Sequence, residues 1–324
     1  MEGKLRTNLI IYFLLFISTA LCLLRNSWLI IWVLLEVNTL RFCSITKRRS
    51  KIELQINREI IIKYLIIQSI ASIILVVSTT SSKINLFLIK RFTILALLSL
   101  VLKTGAAPLH QWFINISKHL KWAINIVLFT WQKLAPAYLI LFQIKKITML
   151  FILMSSILGS SLIINKKNIK EIIAYSSVFN LRWMITAILV RTIMFLIFTF
   201  MYWISVLFLL IIFKTKNVLS ITEILKSQNK WIPIFVLGRL AGIPPLLGFL
   251  AKWIVFSISL EFIIKRLVSV LLISRTINLY VYIRIINRRI TPNARYTQKR
   301  KEKKTKIFIT TFLALNTLFI LIVF

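Results

Sequence analysis

The sequence predicts an all-α, polytopic membrane protein, and three observations carry that prediction. Of its 324 residues 59% are hydrophobic and only 16% charged, with a mean hydropathy of +0.87. That is far more apolar surface than a water-soluble domain can cover, so a soluble enzyme is excluded. The apolar runs show no period-2 alternation, which marks helices rather than barrel strands, and their lengths fit a hydrocarbon core of about 30 Å. The Lys and Arg residues gather in short segments between those runs, as at Lys47–Lys51, Lys166–Lys170 and Arg284–Lys306.

At about 20 residues per span the chain has room for about ten or eleven helices. We place them near 7–24, 27–46, 59–79, 85–117, 121–142, 147–165, 170–190, 192–213, 231–263, 267–287 and 307–324. The first resembles a signal peptide, because Lys4 and Arg6 precede an apolar core. No small-residue cleavage site follows, and we read it as a retained helix. Only 6 Gly, 6 Pro and 2 Cys exclude collagenous, low-complexity and disulfide-stapled chains, and Cys22 and Cys43 read as packing residues inside apolar runs.

Two spans are too long. At 1.5 Å per residue, 85–117 and 231–263 would each reach roughly 50 Å, so each must break. Both carry G-x-x-P-L at mid-length: Gly105-Ala-Ala-Pro108-Leu109, and Gly242-Ile-Pro244-Pro245-Leu246. Proline removes a donor and clashes with the preceding turn, and such a gap is tolerated in hydrocarbon only inside protein or along a wet cavity. These are spans four and nine. Five is odd, so the second crosses in the opposite direction, and the match reads as an inverted repeat: one transmembrane domain over 1–324, with repeat one about 7–142, repeat two about 147–287 and a final helix about 307–324. Two unrelated proline kinks are the alternative.

The formal charge of +35 suggests nucleic acid. The basic segments lack aromatic interleaving and any RNA or DNA motif, so no nucleic-acid partner is expected, and alternate loops explain the charge instead. Loops on the side of the amino terminus hold Lys47, Arg48, Arg49, Lys51 and Arg58; Lys118 and Lys121; Lys166, Lys167 and Lys170; Lys214, Lys216, Lys226 and Lys230; and the run Arg284–Lys306. The opposite loops hold Arg25, Lys83, Lys145, Lys146, Arg191, Lys265 and Arg266. The bias supports an odd number of spans with the amino terminus on the basic side. The long polar loop falls at about 288–306.

A charge at bilayer depth costs at least about 2.5–3.5 kcal/mol and needs a partner, water or a function. Glu36 lies midway through span two, Lys103 just before the Gly105 break, Lys133 in the middle of span five and Lys252 after the second break. One acid and three amines on different helices form a polar file. Burial disfavours an ammonium and a nearby carboxylate favours it, so moving one charge can switch such a lysine. His110, just past the first break, is a candidate bridge between two lysines because imidazole has two nitrogens and titrates near neutrality. Helix-packing ion pairs and snorkelling side chains are the structural alternative. No nucleophile constellation, metal cluster or phosphate loop is present, so no cofactor or metal is expected in this chain.

The blocks Leu34-Leu35-Glu36-Val37-Asn38, Leu102-Lys103-Thr-Gly-Ala-Ala-Pro108-Leu-His110-Gln-Trp112, Thr130-Trp-Gln-Lys-Leu-Ala-Pro136, Ala174-Tyr-Ser-Ser177 and Gly242-Ile-Pro-Pro-Leu-Leu-Gly-Phe-Leu-Ala-Lys252-Trp253 resemble the mitochondrial subunit 2 family of respiratory complex I. These are antiporter-like membrane-arm subunits, and the motifs follow the family's order over nearly the whole chain. The resemblance implies eleven helices, Glu36 and Lys103 as the carboxylate–lysine pair, Lys133 as the central relay and Lys252 as the outer lysine. It implies proton translocation driven by electron transfer from NADH to ubiquinone, at the mitochondrial inner membrane with the amino terminus in the matrix. NADH, FMN, iron–sulfur clusters and ubiquinone would belong to the whole complex. The implied partners are other membrane-arm subunits and the bilayer, with cardiolipin a candidate lipid. A monovalent cation/proton antiporter subunit and a purely structural assembly scaffold are the alternatives; antiporters of this kind are usually longer.

Some features depart from the family. Phe179-Asn180-Leu181-Arg182-Trp183 stands where a His or another polar residue and a Gly often precede Trp, and Ile114 where a Pro is usual. Arg41, Arg182 and Arg239 occupy span positions with no acidic partner nearby in sequence, and eight acids face 43 bases. Some mitochondrial codes read AGA or AGG as serine, so several of these arginines are read here as translation artefacts; against that, the 9 Trp show no shortage.

Two outcomes follow. Tags near Met1 and Pro292 should share a compartment and one after Phe324 should lie in the other; both termini on one face would refute the odd span count. Mass spectrometry of a peptide spanning residue 182 should return serine, and an arginine mass there ends the artefact reading.

Overall fold

A computed structural model describes residues 2–46, 53–84, 89–143, 145–164, 166–216, 237–243, 246–262 and 265–290. The expected final helix 307–324, the loop from 291 to 306, Pro244, Pro245 and the start of the ninth span at 231–236 lie outside the described residues. Among the described residues the chain is helical with no strand. The helices are α1 (Glu2–Leu24), α2 (Trp28–Thr46), α3 (Glu53–Ile84), α4 (Ile89–Thr104), α5 (Gln111–His119), α6 (Trp122–Phe129), α7 (Trp131–Leu139), α8 (Lys145–Ser161), α9 (Ile169–Val190), α10 (Thr192–Lys216), α11 (Leu247–Phe262) and α12 (Lys265–Ile290).

Among the described residues, five segments are long and apolar enough to cross a membrane: Trp28–Thr46, Arg58–Ser81, Trp122–Phe142, Ile169–Val190 and Ser269–Ile286. Their faces are sorted for lipid. On α3, Ile62, Ile66, Ile70, Ile73 and Val77 are all exposed and recur at helical spacing, so one stripe points outward. The inward side of the same helix carries Tyr64, Gln68, Ser72 and Ser78, all buried. Apolar outside and polar inside is the arrangement hydrocarbon solvation selects.

Helix α9 sits at the centre. It packs against α5, α7, α8, α10 and α11, and every side chain from Ile172 to Ile188 is buried. Its start is fixed by Asn168, whose side chain accepts from the Lys170 amide at 3.0 Å. Lys170 Nζ donates to the Leu120 carbonyl at 2.8 Å, and Lys118 pairs with Glu171 at 3.1 Å, so the end of α5 is tied to the start of α9.

Both long spans break where expected. The helix ends at the glycine, and the proline follows. At the first break the Gly105 amide donates to Leu102 O at 3.2 Å and the Ala106 amide to Val101 O at 3.1 Å. At the second, the Gly242 amide donates to Arg239 O at 3.2 Å and the Ile243 amide to Gly238 O at 3.1 Å. Each is a Schellman cap, which needs a left-handed residue just past the helix, and Gly105 and Gly242 supply it with φ of 65° and 75°. The two breaks are therefore built by the same backbone device.

One expected continuous span is subdivided. The stretch 121–142 interrupts at Thr130, between α6 and α7, where the Thr130 hydroxyl bonds back to Ile126 O at 2.6 Å. Pro136 inside α7 withholds a further amide, and a back-bonding hydroxyl with a nearby proline is a recognised cause of a bent helix. Beyond the interruption, Gln132, Lys133 and Ala137 are buried in the interior.

Gly105 and Gly248 leave no space for a side chain. A Cβ on Gly105 would lie 2.8 Å from Phe113 Cβ in a left-handed conformation, and one on Gly248 would collide with Arg239 O. Gly105→Ala should cost about 2 kcal/mol or more, and Gly248→Ala should separate the two halves of the second broken span. Both should lower the thermal midpoint of the protein in its native assembly; unchanged midpoints would show that the breaks re-form without these contacts.

Candidate functional site

The site begins with an ion pair between α2 and the end of α4. Lys103 Nζ lies 3.6 Å from Glu36 Oε1, with the lysine side chain 2% exposed and the carboxylate 28%. That separation is an ion pair rather than a hydrogen bond. Gln68 on α3 donates to the Lys103 carbonyl at 3.4 Å, occupying an acceptor that the end of α4 leaves open. Beside this pair, Gln132 Nε2 donates to Asn38 Oδ1 at 3.2 Å, and Tyr64 donates to Gln132 Oε1 at 3.4 Å. Four helices, α2, α3, α4 and α7, are thus joined by polar groups within the first half of the bundle.

Lys133 follows Gln132 and turns the other way, toward α9. Its Nζ donates to Ser177 Oγ at 2.9 Å and lies 4.1 Å from the centre of the Phe113 ring. With no carboxylate among those contacts, a hydroxyl and an aromatic face are what solvate this amine. His110 has a different setting from the expected bridge. Its Nδ1 lies 3.0 Å from the Pro108 carbonyl, and its ring meets Tyr175 edge-on with centroids 5.9 Å apart. A carbonyl only accepts, so Nδ1 carries the hydrogen, and Nε2 is buried without a hydrogen-bond partner.

At the second break the open carbonyls are taken by cations. Lys252 Nζ donates to Leu240 O and Arg275 Nη2 to Gly242 O, each at 3.3 Å. Lys252 also lines a cavity with about 20 Å³ of space for a water-sized centre, together with Asn180, Tyr202, Ser205 and Arg239.

The structure brings Glu36 and Lys103 together directly and sets Lys133 and Lys252 each against α9, the first at Ser177 and the second near Phe179. Among the described residues, no group of three or more His, Cys, Asp or Glu is placed to hold a metal. Arg182 is wholly buried: one guanidinium nitrogen donates to Ser274 Oγ, the other to Leu271 O at 3.1 Å, and the group lies 3.6 Å from the Phe179 ring centre. Arg239 is buried 5.0 Å from the centre of the Phe208 ring.

Sequence reasoning passed over Gln68, Gln132, Asn180 and Tyr202. Tyr64 and Gln68 stand four apart and so share a face of α3, a signal that was available. Tyr202 lies in an apolar run, Phe198-Thr-Phe-Met-Tyr202-Trp, and nothing in sequence marks it.

Buried lysines at two glycine-capped helix breaks, on an all-helical membrane frame, define the class of the molecule. The family described as NADH:quinone oxidoreductase/Mrp antiporter, transmembrane, matches residues 25–278, and the chain belongs to it. Within that family its place is with NADH-ubiquinone oxidoreductase chain 2. It is 32% identical over 297 residues to that protein from Anopheles gambiae, covering 87% of this chain and 85% of the relative. Chain 2 of Ornithorhynchus anatinus is 28% identical over 341 residues, covering 96% and 95%. A chain of respiratory complex I from Thermus thermophilus shares the fold with a TM-score of 0.77 at 16% identity, over 92% of this chain and 75% of that one.

Proposed function

We propose that this protein is a core membrane-arm subunit of respiratory complex I in the mitochondrial inner membrane, contributing to proton translocation driven by electron transfer from NADH to ubiquinone. The observation that carries the reading is the Glu36–Lys103 pair at the end of a helix broken inside the bundle. Its partners are other membrane-arm subunits, and the redox groups belong in this reading to the rest of the complex. The amino terminus faces the matrix, on the side of the basic loops. The five-helix repeat is part of the same reading, supported by the matching glycine caps at Gly105 and Gly242.

In this mechanism Glu36 sets the charge of Lys103. With the carboxylate ionised and close, Lys103 holds its proton; when the carboxylate moves away or is neutralised, desolvation favours the neutral amine and the proton passes toward Lys133. The break at 105–110 lets the end of α4 shift without dragging the whole span as one rigid helix. His110 Nε2, buried with an open lone pair, can take part through water.

Glu36→Gln removes the charge with little change in volume, so assembly should survive while proton-coupled turnover falls about tenfold. Lys103→Met should reduce it by about a hundredfold, because no titratable group remains at the break. The measurements are proton pumping and quinone-reductase rate in intact reconstituted complex, normalised to assembled protein. Normal rates and proton-to-electron ratios in both variants would leave the pair as structural glue and favour the scaffold alternative.

A further inference from the structure

Helix α7 is short, with nine residues and Pro136 among them, and Thr130 before it gives no side-chain cap because its hydroxyl is turned back to Ile126 O. A helix of this length depends on its neighbours for its orientation. Three consecutive side chains of its first turn supply that in three directions. Trp131 Nε1 donates to Leu15 O of α1 at 3.4 Å, and its ring meets Phe16 edge-on with centroids 4.1 Å apart. Gln132 is bonded to Asn38 of α2 at 3.2 Å and to Tyr64 of α3 at 3.4 Å, and Lys133 to Ser177 of α9 at 2.9 Å. At about 3.6 residues per turn, neighbouring positions lie about 100° apart. A turn tied at all three cannot roll about its axis without losing a bond.

Gln132 is the tie with two partners, and its direction is set. The Tyr64 hydroxyl gives its hydrogen to Gln132 Oε1, so Nε2 is the nitrogen turned to Asn38 Oδ1. Tyr64 is itself held, since its ring meets Phe42 of α2 and Trp112 of α5 with centroids 4.9 and 6.0 Å away. Asn38, Tyr64 and Gln132 are all buried. A buried amide in a span is costlier than an apolar side chain of the same size, so its presence points to what it holds. The contacts close on Lys133: Trp112 meets Phe113 with centroids 5.8 Å apart, and Phe113 is the ring beneath the Lys133 amine.

We infer that Gln132 is a positioning residue: by clamping the first turn of α7 to Asn38 and Tyr64, it aims Lys133 at Ser177 and Phe113. The inference rests on the proton-translocation reading above, in which Lys133 acts, and adds what keeps that amine in place. Gln132 exchanges no proton in this role. Its two bonds fix the azimuth of the turn, and the direction of the next side chain follows from the helix geometry. With the clamp removed, α7 is free to roll and the contact between Lys133 and Ser177 loses its fixed length. A displacement of about 1 Å at an acting group is enough to slow a reaction by as much as about a hundredfold.

The test uses the intact reconstituted complex carrying Gln132→Met, Ser177→Ala or both, with Lys103→Met as the reference. Gln132→Met keeps the length of the side chain and removes both bonds; Ser177→Ala removes the hydroxyl that Lys133 faces. Each single variant should lower proton-coupled turnover by about tenfold, with the quinone KM unchanged. The double variant decides between positioning and packing. If Gln132 acts through the contact of Lys133 with Ser177, the double variant should be no slower than the slower single one, whereas independent effects multiply to about a hundredfold. If Gln132→Met fails to assemble, Tyr64→Phe, which removes one oxygen and one of the two ties, takes its place in the same cycle with an expected loss of about threefold. Normal turnover in either single variant, a changed quinone KM, or multiplied losses in the double, with Lys103→Met impaired, overturns the clamp and leaves the relay standing. Normal pumping in Lys103→Met overturns the relay reading itself.

Discussion

A helix interrupted inside a bilayer presents carbonyls and amides that lipid cannot satisfy, and the rest of this structure follows from how that need is met. The glycine caps take part of it, since each turns the chain back so that two amides reach carbonyls of the last turn. Side chains take further carbonyls: Gln68 covers that of Lys103, Lys252 that of Leu240 and Arg275 that of Gly242. Basic residues at the open carboxyl end of a half-helix sit at the negative pole of its dipole, where a cation is favoured. The lysine of the second half is therefore held by the feature that makes the break. In the first half the lysine stands on the last turn of α4 and turns to a carboxylate on α2 instead.

Most buried hydroxyls contribute nothing between helices. Ser18, Thr39, Thr46, Ser78, Ser99, Thr104, Ser117, Ser155 and Ser160 each donate to a carbonyl of their own helix. Such a residue is polar by composition and silent in packing. The hydrogen bonds from side chain to side chain that cross between spans, among the described residues, gather along Tyr64, Gln132, Asn38, Lys133 and Ser177, with Arg182 and Ser274 beyond. Polarity that joins helices is concentrated where the buried charges are.

The all-helical membrane fold was legible because composition and run length leave few other solutions, and the two breaks because a helix of roughly 50 Å cannot fit the hydrocarbon. Glu36, Lys103, Lys133 and Lys252 were legible through cost: a charge in a span is rare enough to point to itself. Partner choice was not. Glu36 and Lys103 are 67 positions apart, and Lys133 and Ser177 are 44 apart, so their meeting depends on how α2, α4, α7 and α9 dock. His110 shows the limit most clearly, since proximity in sequence to the break suggested the lysines, whereas its ring turns to Pro108 and Tyr175. The interruption at Thr130 depended on a local hydroxyl bond that no periodicity reveals.

The missing side chain of Gly105 has a consequence for Lys133. Phe113 occupies the notch that Gly105 leaves, with its Cβ 2.8 Å from where a Gly105 Cβ would stand, and the same ring supports the Lys133 amine at 4.1 Å. Backbone geometry at the break and the seat of the central lysine are thus fixed by one phenyl group. A change in the dihedral angles of Gly105 reaches Lys133 by steric contact, independent of any field from Glu36. The two lysines consequently have two routes of communication, one carried by charge and one by shape, and the second is indifferent to ionic strength.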